Sequence, residues 1–255
     1  MIGIYFSGTG NTKYCVQKFL EEYNGDVEMY SIEEEYALEK IRKNINIIFA
    51  YPIQYSSLPK IVKDFIISNS SIWSGKKIYI IVTMGLFCGD GSGVSRRILE
   101  QYGAEVIGGL HLKMPDSIGD IRALKRSLED NKKIIKKSKN KIKNAAKLLK
   151  SGKATQEGLG LLCHMAGLFG QRLYFRNKTR NYTDKLKIDS DLCVGCGKCV
   201  KLCPMSNIQI KNGKARSTNL CTMCYRCINN CPNQAITLLG KKVIQQSTIE
   251  KYNIT

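Results

Sequence analysis

No stretch of this 255-residue chain approaches the roughly 20 consecutive apolar residues that a helix needs to cross a bilayer, so a helical membrane protein is excluded and a soluble one expected. The opening MIGIYFSGTGNTK has no basic start followed by an apolar stretch and a small-residue cleavage site. No secretory leader is read there, and a cytoplasmic location is expected. The small polar loop that follows the first apolar run lacks both the Gly-Lys-Ser/Thr ending of a nucleotide-hydrolase loop and the glycine spacing of a dinucleotide fingerprint. Neither ATP nor NAD is supported by it. Acidic residues are scarce, 21 against 40 lysines and arginines, for a formal charge of +19.

What the chain does have is cysteine, 11 in all. Cys193 to Cys231 contains the main group, and without an export signal a disulfide framework explains it less well than metal binding. From Cys193 the sequence reads CVGCGKCVKLCP and from Cys221 CTMCYRCINNCP, so each half is Cys-x2-Cys-x2-Cys-x3-Cys-Pro. The repeat continues past the cysteines. Asn207-Ile208 and Ala235-Ile236 hold matching places before the short β-like runs Gln209-Ile210 and Thr237-Leu238, which implies two similar half-domains. Three thiolates at this spacing can wrap one cuboidal cluster from a tight loop, each on a different iron, and a fourth thiolate must complete it. Zinc modules usually present two separated Cys-x2-Cys pairs instead.

Residues 184–240 resemble the bacterial two-cluster ferredoxins, carriers of single electrons at low potential. In that arrangement the fourth cysteine of each run serves the other cluster. The resemblance implies one [4Fe–4S] cluster on Cys193, Cys196, Cys199 and Cys231, and another on Cys221, Cys224, Cys227 and Cys203. Pro204 and Pro232 end the turns that carry the crossing ligands. Cluster and flavin charges together lower the loaded protein to about +13. That excess does not call for nucleic acid; it fits a lysine-rich soluble surface, or steering of acidic redox partner proteins.

Residues 1–115 alternate β-rich runs with helical patterns, the signature of a parallel sheet covered by helices. Strands are read at Ile2–Phe6, Val27–Ser31, Ile45–Tyr51, Lys77–Thr83 and Glu105–Leu112, with helices after Thr12, Ile32, Leu58 and Ser92. Between the first strand and helix lies Ser7-Gly8-Thr9-Gly10-Asn11-Thr12, whose backbone N–H groups and hydroxyls suit a phosphate. SGTGNT resembles the FMN phosphate loop of flavodoxins. That resemblance implies a doubly wound α/β sheet of five strands with the flavin ring outside the carboxyl ends of the third and fourth. The matching loops are Tyr51-Pro52-Ile53-Gln54-Tyr55 and Thr83-Met84-Gly85-Leu86-Phe87, with Tyr51, Tyr55 and Phe87 as stacking candidates. Near these loops Asp90 is the acidic residue expected. Met114-Pro115-Asp116 resembles a segment of proteins that fuse a flavodoxin-like domain to a ferredoxin.

From Ser117 to Lys150, Ile121, Leu124, Leu128, Ile135, Ile142, Ala145 and Leu149 recur at helical spacing among lysines, which predicts one amphipathic helix. The expected organisation is a flavodoxin-like domain at 1–150, a connector at 151–183 and an α+β ferredoxin domain with a C-terminal tail at 184–255. In the connector, Leu159–Phe169 is apolar, Gln171–Arg180 is basic, and Cys163 and His164 are assigned to ordinary packing. Together the two resemblances imply an electron carrier of anaerobic cytoplasm with two clusters and FMN. The alternatives are an FMN-dependent reductase of a quinone or nitro compound, for which no acid–base pair is marked, and a ferredoxin with a flavin-free docking domain.

Overall fold

The two longest apolar runs, Asn46–Pro52 and Lys77–Met84, are buried along nearly their whole length, as strands covered on both faces must be. The computed structural model describes residues 1–169 and 182–252. In it β1 (Ile2–Tyr5), β2 (Met29–Ser31), β3 (Asn46–Pro52), β4 (Lys77–Met84) and β5 (Glu105–Lys113) form one parallel sheet in the order β2-β1-β3-β4-β5. The flavodoxin-like doubly wound fold is therefore present.

Period-two alternation sends side chains to two cores. Ile47, Phe49 and Tyr51 of β3 join Ile78, Ile80 and Val82 of β4 on one face, together with α2 (Ala37–Lys43), α3 (Lys60–Ser68) and α4 (Gly91–Gln101). Trp73 fills this core, donating Nε1–H to the Ile66 carbonyl at 2.9 Å. Ile48 and Ala50, with Tyr79 and Ile81, meet α1 (Asn11–Tyr23) and α5 (Leu128–Lys150) on the other face.

The long helix begins later than its sequence pattern suggests. Residues 117–127 are not α-helical apart from a 3₁₀ turn at Arg122–Leu124, and α5 starts at Leu128, where Ser127 caps it by accepting from the Asp130 N–H. Ile121 and Leu124 thus stand outside the helix, and Leu128 is exposed, while Ile135, Ile142, Ala145 and Leu149 form the buried stripe. The cap and its acidic first turn, Glu129 and Asp130, outweigh apolar periodicity in setting the start.

After α5 the chain runs beside β5. Gly109 N–H donates to the Thr155 carbonyl and Glu157 N–H to that of Gly109, which covers an otherwise open sheet edge. His111 ties this region together. Its Nε2 lies 2.9 Å from Ser92 Oγ on α4, and its backbone N–H donates to Glu157, which also pairs with Lys141 of α5. α6 (Leu161–Gly167) follows, with His164 Nδ1 2.9 Å from Asp90 Oδ2; the basic segment Gln171–Arg180 lies outside the described residues.

The C-terminal unit has two small antiparallel sheets. β6 (Lys187–Ile188) pairs with β9 (Ile236–Thr237), and β7 (Ile208–Lys211) with β8 (Lys214–Ser217). Asn212 and Gly213, both at positive φ, make the tight turn of the β7–β8 hairpin. Short helices α7 (Lys198–Leu202) and α8 (Arg226–Asn230) each follow a left-handed residue and end at an extended cysteine before proline.

The two units are joined by polar contacts that leave few buried groups unpaired. Asp120 Oδ2 accepts the N–H groups of Leu238, Leu239 and Gly240, and its Oδ1 accepts the Tyr225 hydroxyl. Asn229 donates to the Ser117 carbonyl, and Arg226 reaches Glu33 and the Ser7 carbonyl. The chain then returns over the first unit, where Ile249 N–H donates to the Thr9 carbonyl and Ile249 and Tyr252 enter the α1/α5 core.

Two outcomes follow. Asp120→Ala leaves four donors without their acceptor, so it should destabilise the docked C-terminal unit by about 2–4 kcal/mol, read as earlier proteolysis and a lower urea midpoint. Burial holds the His111 pKa down to about 4, so the unfolded chain binds the proton more readily. Stability should therefore fall as pH drops from about 6.5 toward 4, and His111→Gln should flatten that slope in urea titrations.

Candidate functional site

The described residues form two cysteine-lined cavities within the C-terminal unit and one cleft walled by both units. The first is lined by Cys193, Cys196, Cys199 and Cys231. The second is lined by Cys203, Cys221, Cys224 and Cys227. Each quartet thus takes three cysteines from one run and the fourth from the other. α7 and α8 bring this about by delivering Cys203 and Cys231 at their ends. Among the described residues, no three Cys, His, Asp or Glu side chains converge closely enough for a single metal ion. The quartets instead surround a volume, which suits a polynuclear cluster better than zinc.

The quartets differ electrostatically. The Cys193 thiol is pulled below its usual range, first by the Ala215 N–H that donates to its sulfur at 3.4 Å, with Lys214 and Arg216 nearby. Burial pushes Cys224 up to about 12 and raises Cys227 strongly. Both quartets would hold iron as thiolates, a form that burial disfavours at Cys224 and Cys227 and that the Ala215 N–H favours at Cys193.

The third region is a solvent-open cleft of about 210 Å³ at the carboxyl ends of β1, β3 and β4. Ser7, Gly8, Thr9, Asn11 and Thr12 line it, as do Pro52, Ile53, Gln54 and Tyr55, and Thr83, Met84, Gly85, Leu86 and Phe87. Ser7 Oγ is buried there without a hydrogen-bond partner among the described residues, a donor that an anion at the N-terminus of α1 would satisfy. Thr12 Oγ1 lies 2.8 Å from Thr83 Oγ1, and Asn11 Nδ2 donates to the Pro115 carbonyl, so the loop is braced from both sides. A phosphoryl group fits this donor set, and the apolar and aromatic side chains Ile53, Tyr55, Met84, Leu86 and Phe87 suit the faces of a flat ring.

Three expected residues stand elsewhere. Tyr51 does not reach the cleft. It is fully buried in the sheet core, its hydroxyl against the Gly91 carbonyl at 2.7 Å and Ser95 Oγ at 2.6 Å, because strand alternation turns it toward α4. Gly10 does not line the cleft either: at φ 87° it turns the loop, and a Cβ there would overlap Ile249 of the returning tail. Nor does Asp90, whose Oδ2 is 2.8 Å from Arg97 and 2.9 Å from His164.

The cleft carboxyl is instead Asp116, which burial holds above the ordinary carboxylate range. Its Oδ1 accepts the Ile118 N–H, and its other oxygen rests where a side chain on Gly85 would stand. Met114, Pro115, Ser117, Ile118 and Leu124 also line the cleft. The Met114-Pro115-Asp116 segment was the visible signal for this wall.

Sequence reasoning missed the fourth wall altogether. Met223, Cys224 and Tyr225 close the cleft from the C-terminal unit, and Gln54 Nε2 donates to the Thr222 and Met223 carbonyls. Cys224 and Tyr225 therefore border the cleft and the second cavity together. The repeat explains the backbone here. Gly195 and Gly197 of the first run hold positive φ (69° and 72°), and their counterparts Met223 and Tyr225 hold it too (56° and 59°). Left-handed backbone costs a non-glycine residue roughly 1–2 kcal/mol. Only the run that faces the cleft bears that strain, and its two side chains are cleft walls.

Gly8 meets this wall directly, since a Cβ on it would overlap the Cys224 carbonyl oxygen. Gly8→Ala must part the phosphate loop from the Cys224 loop at a cost of about 1–3 kcal/mol. FMN affinity, measured by fluorescence titration, should weaken roughly tenfold or more, while Gly75→Ala, remote from the cleft, should not change it.

Residues 2–100 match the family model described as a flavodoxin domain, and residues 176–236 the one described as a 4Fe-4S dicluster domain. Among curated proteins, the chain is 54% identical over 28 residues to ferredoxin-2 of Desulfomicrobium norvegicum, covering 11% of this chain and 48% of that protein. The match therefore spans about half of that relative's length. It is 65% identical over 20 residues to a ferredoxin of Pyrococcus woesei, covering 8% of this chain and 95% of that sequence. Among solved structures it is similar to the two-electron reduced flavodoxin of Megasphaera elsdenii, with a TM-score of 0.41, 25% identity, and coverage of 46% of this chain and 89% of that one. It is also similar to a Fusobacterium nucleatum flavodoxin bound to flavin mononucleotide, with a TM-score of 0.42, 19% identity, and coverage of 60% and 98%. The chain thus carries a flavodoxin domain toward its N-terminus and a ferredoxin-type 4Fe-4S dicluster domain toward its C-terminus, a pair that supports electron transfer.

Proposed function

We propose that this chain transfers electrons between low-potential one-electron carriers and a bound FMN, through two [4Fe–4S] clusters held by the two cysteine quartets. The observation that carries the reading is the shared wall: Cys224 lines both the second quartet's cavity and the cleft behind the phosphate loop. When bound, the clusters would supply one-electron exchange and the flavin one- or two-electron exchange, chemistry no side chain offers.

The chain's own residues have separate tasks. Ser7, Thr9 and the first turn of α1 bind the phosphate, and Gly8 lets the Cys224 loop come against it. Tyr55 and Phe87 offer aromatic faces at the cleft, while Ile53, Met84 and Leu86 contribute apolar surface that excludes water. Tyr225, anchored to Asp120, holds the fourth wall in place. Asp116, biased by burial toward its protonated form, can hold or release a proton beside the ring.

Asp116 also favours a second reading, an FMN-dependent reductase of a small acceptor such as a quinone or nitro compound. Anaerobic turnover no faster than that of free FMN would remove it.

Protein purified without oxygen should contain about eight iron, eight sulfide and one FMN per chain. Iron without FMN, even after incubation with it, would leave a ferredoxin with a flavin-free docking domain. Cys231→Ser should deplete the cluster of the Cys193 run and spare that of the Cys221 run, as followed by iron content and electron paramagnetic resonance.

A further inference from the structure

The two cysteine quartets are unequally accessible. The second is covered by the flavodoxin-like unit through Gln54 and Gly8, and through Ser7 and Glu33, which accept from Arg226, and Cys227 is buried. The first has a cysteine at the surface, Cys196, with Val194 beside it 63% exposed and Ile210 42% exposed, both lining that cavity. These two apolar side chains stand among cations. Lys198 lines the same cavity and is exposed, Lys214 donates to the Cys193 carbonyl, and Lys211 and Arg216 are exposed on the hairpin next to it. The nearest acids in sequence are Asp189 and Asp191; Asp189 Oδ1 accepts the N–H groups of Asp191 and Leu192.

We propose, resting on the function proposed above, that the surface around Cys196 is the docking site for a small acidic one-electron carrier protein. A small apolar centre inside a cationic rim fits a carrier that exposes its own redox edge inside an anionic rim. The charges steer the encounter, and the apolar centre lets the two edges approach with little water between them. Each encounter moves one electron: the carrier is oxidised by one, the chain is reduced by one, and no bond forms or breaks. The molecule is thereby polar, with the protein partner at the Cys196 end and the cleft at the other. The choice of site is not dictated by net charge, because the most lysine-rich surface is the solvent face of α5, with Lys132, Lys136 and Lys139 exposed.

The test is stopped-flow reduction of the whole, anaerobically purified protein by a reduced plant-type [2Fe–2S] ferredoxin of net negative charge, at low and at high salt. The variants are Lys198→Glu with Lys211→Glu, and Lys132→Glu with Lys136→Glu. Iron, sulfide and FMN are measured on each sample. With cofactor content unchanged, the first pair should lower the bimolecular rate constant about tenfold or more at low salt and converge on wild type at high salt. The α5 pair should leave it within about twofold. Slowing by the α5 pair alone, or equal rates in all three proteins, would overturn the docking site while leaving the cofactor reading intact. A wild-type protein without clusters would sink the cofactor reading, and the docking site with it. Should Lys198→Glu lose iron, Lys211→Glu with Arg216→Glu serves in its place with the same expected drop.

Discussion

The contact on which the site depends is a backbone one: the Cys224 carbonyl pressed against the α-carbon of Gly8. It brings the loop that suits a phosphate and the loop that carries three cysteines into van der Waals contact, with no side chain between them. Glycine is required on one side by the lack of space. On the other side the chain accepts left-handed φ at Met223 and Tyr225, where the sister run uses glycine. A duplicated motif has thus diverged at the two positions that meet the cleft, and the conformational cost is met by packing and by the Tyr225–Asp120 hydrogen bond.

Such a contact needs a rigid join between the units, and the join is built largely from polar groups. Asp120 gathers three backbone N–H groups and one hydroxyl, and Arg226 spans Glu33, the Ser7 carbonyl and the Leu202 carbonyl with its guanidinium over the Phe6 ring. Directional bonds of this kind fix orientation in a way that an apolar surface does not. The tail supplies the apolar share, seating Ile249 and Tyr252 against α1 and α5. The result is a cleft walled by both units, with Cys224 shared between it and the cavity of the second quartet.

Much of this was legible in the sequence, because short-range physics governs it. The buried strands announced themselves as apolar runs, and four of the five expected strands agree with the observed ones to within one residue at every end, the second starting two residues later, at Met29. The phosphate loop was legible because strand, small polar loop and helix are contiguous. The cysteines were legible because cluster wrapping demands fixed local spacing. Periodicity failed where a cap competed with it, at Ser127, and where facing mattered more than proximity, at Tyr51. The β7–β8 hairpin went unread although Asn212-Gly213 is the turn such hairpins favour.

By itself, then, the sequence determined the elements, the two kinds of domain and the set of cysteines, each of which is specified by neighbours in the chain. Only the tertiary structure decided that Asp116 rather than Asp90 enters the cleft, that Tyr51 leaves it, and that Met223, Cys224 and Tyr225 close it. Tyr51 and Asp90 are held by α4, through Gly91, Ser95 and Arg97; the closing wall depends on contacts between residues a hundred or more positions apart, such as Tyr225 with Asp120 and Arg226 with Ser7. No local propensity encodes such pairings; they arise when two separately folded units must bury a common surface and satisfy its polar groups together.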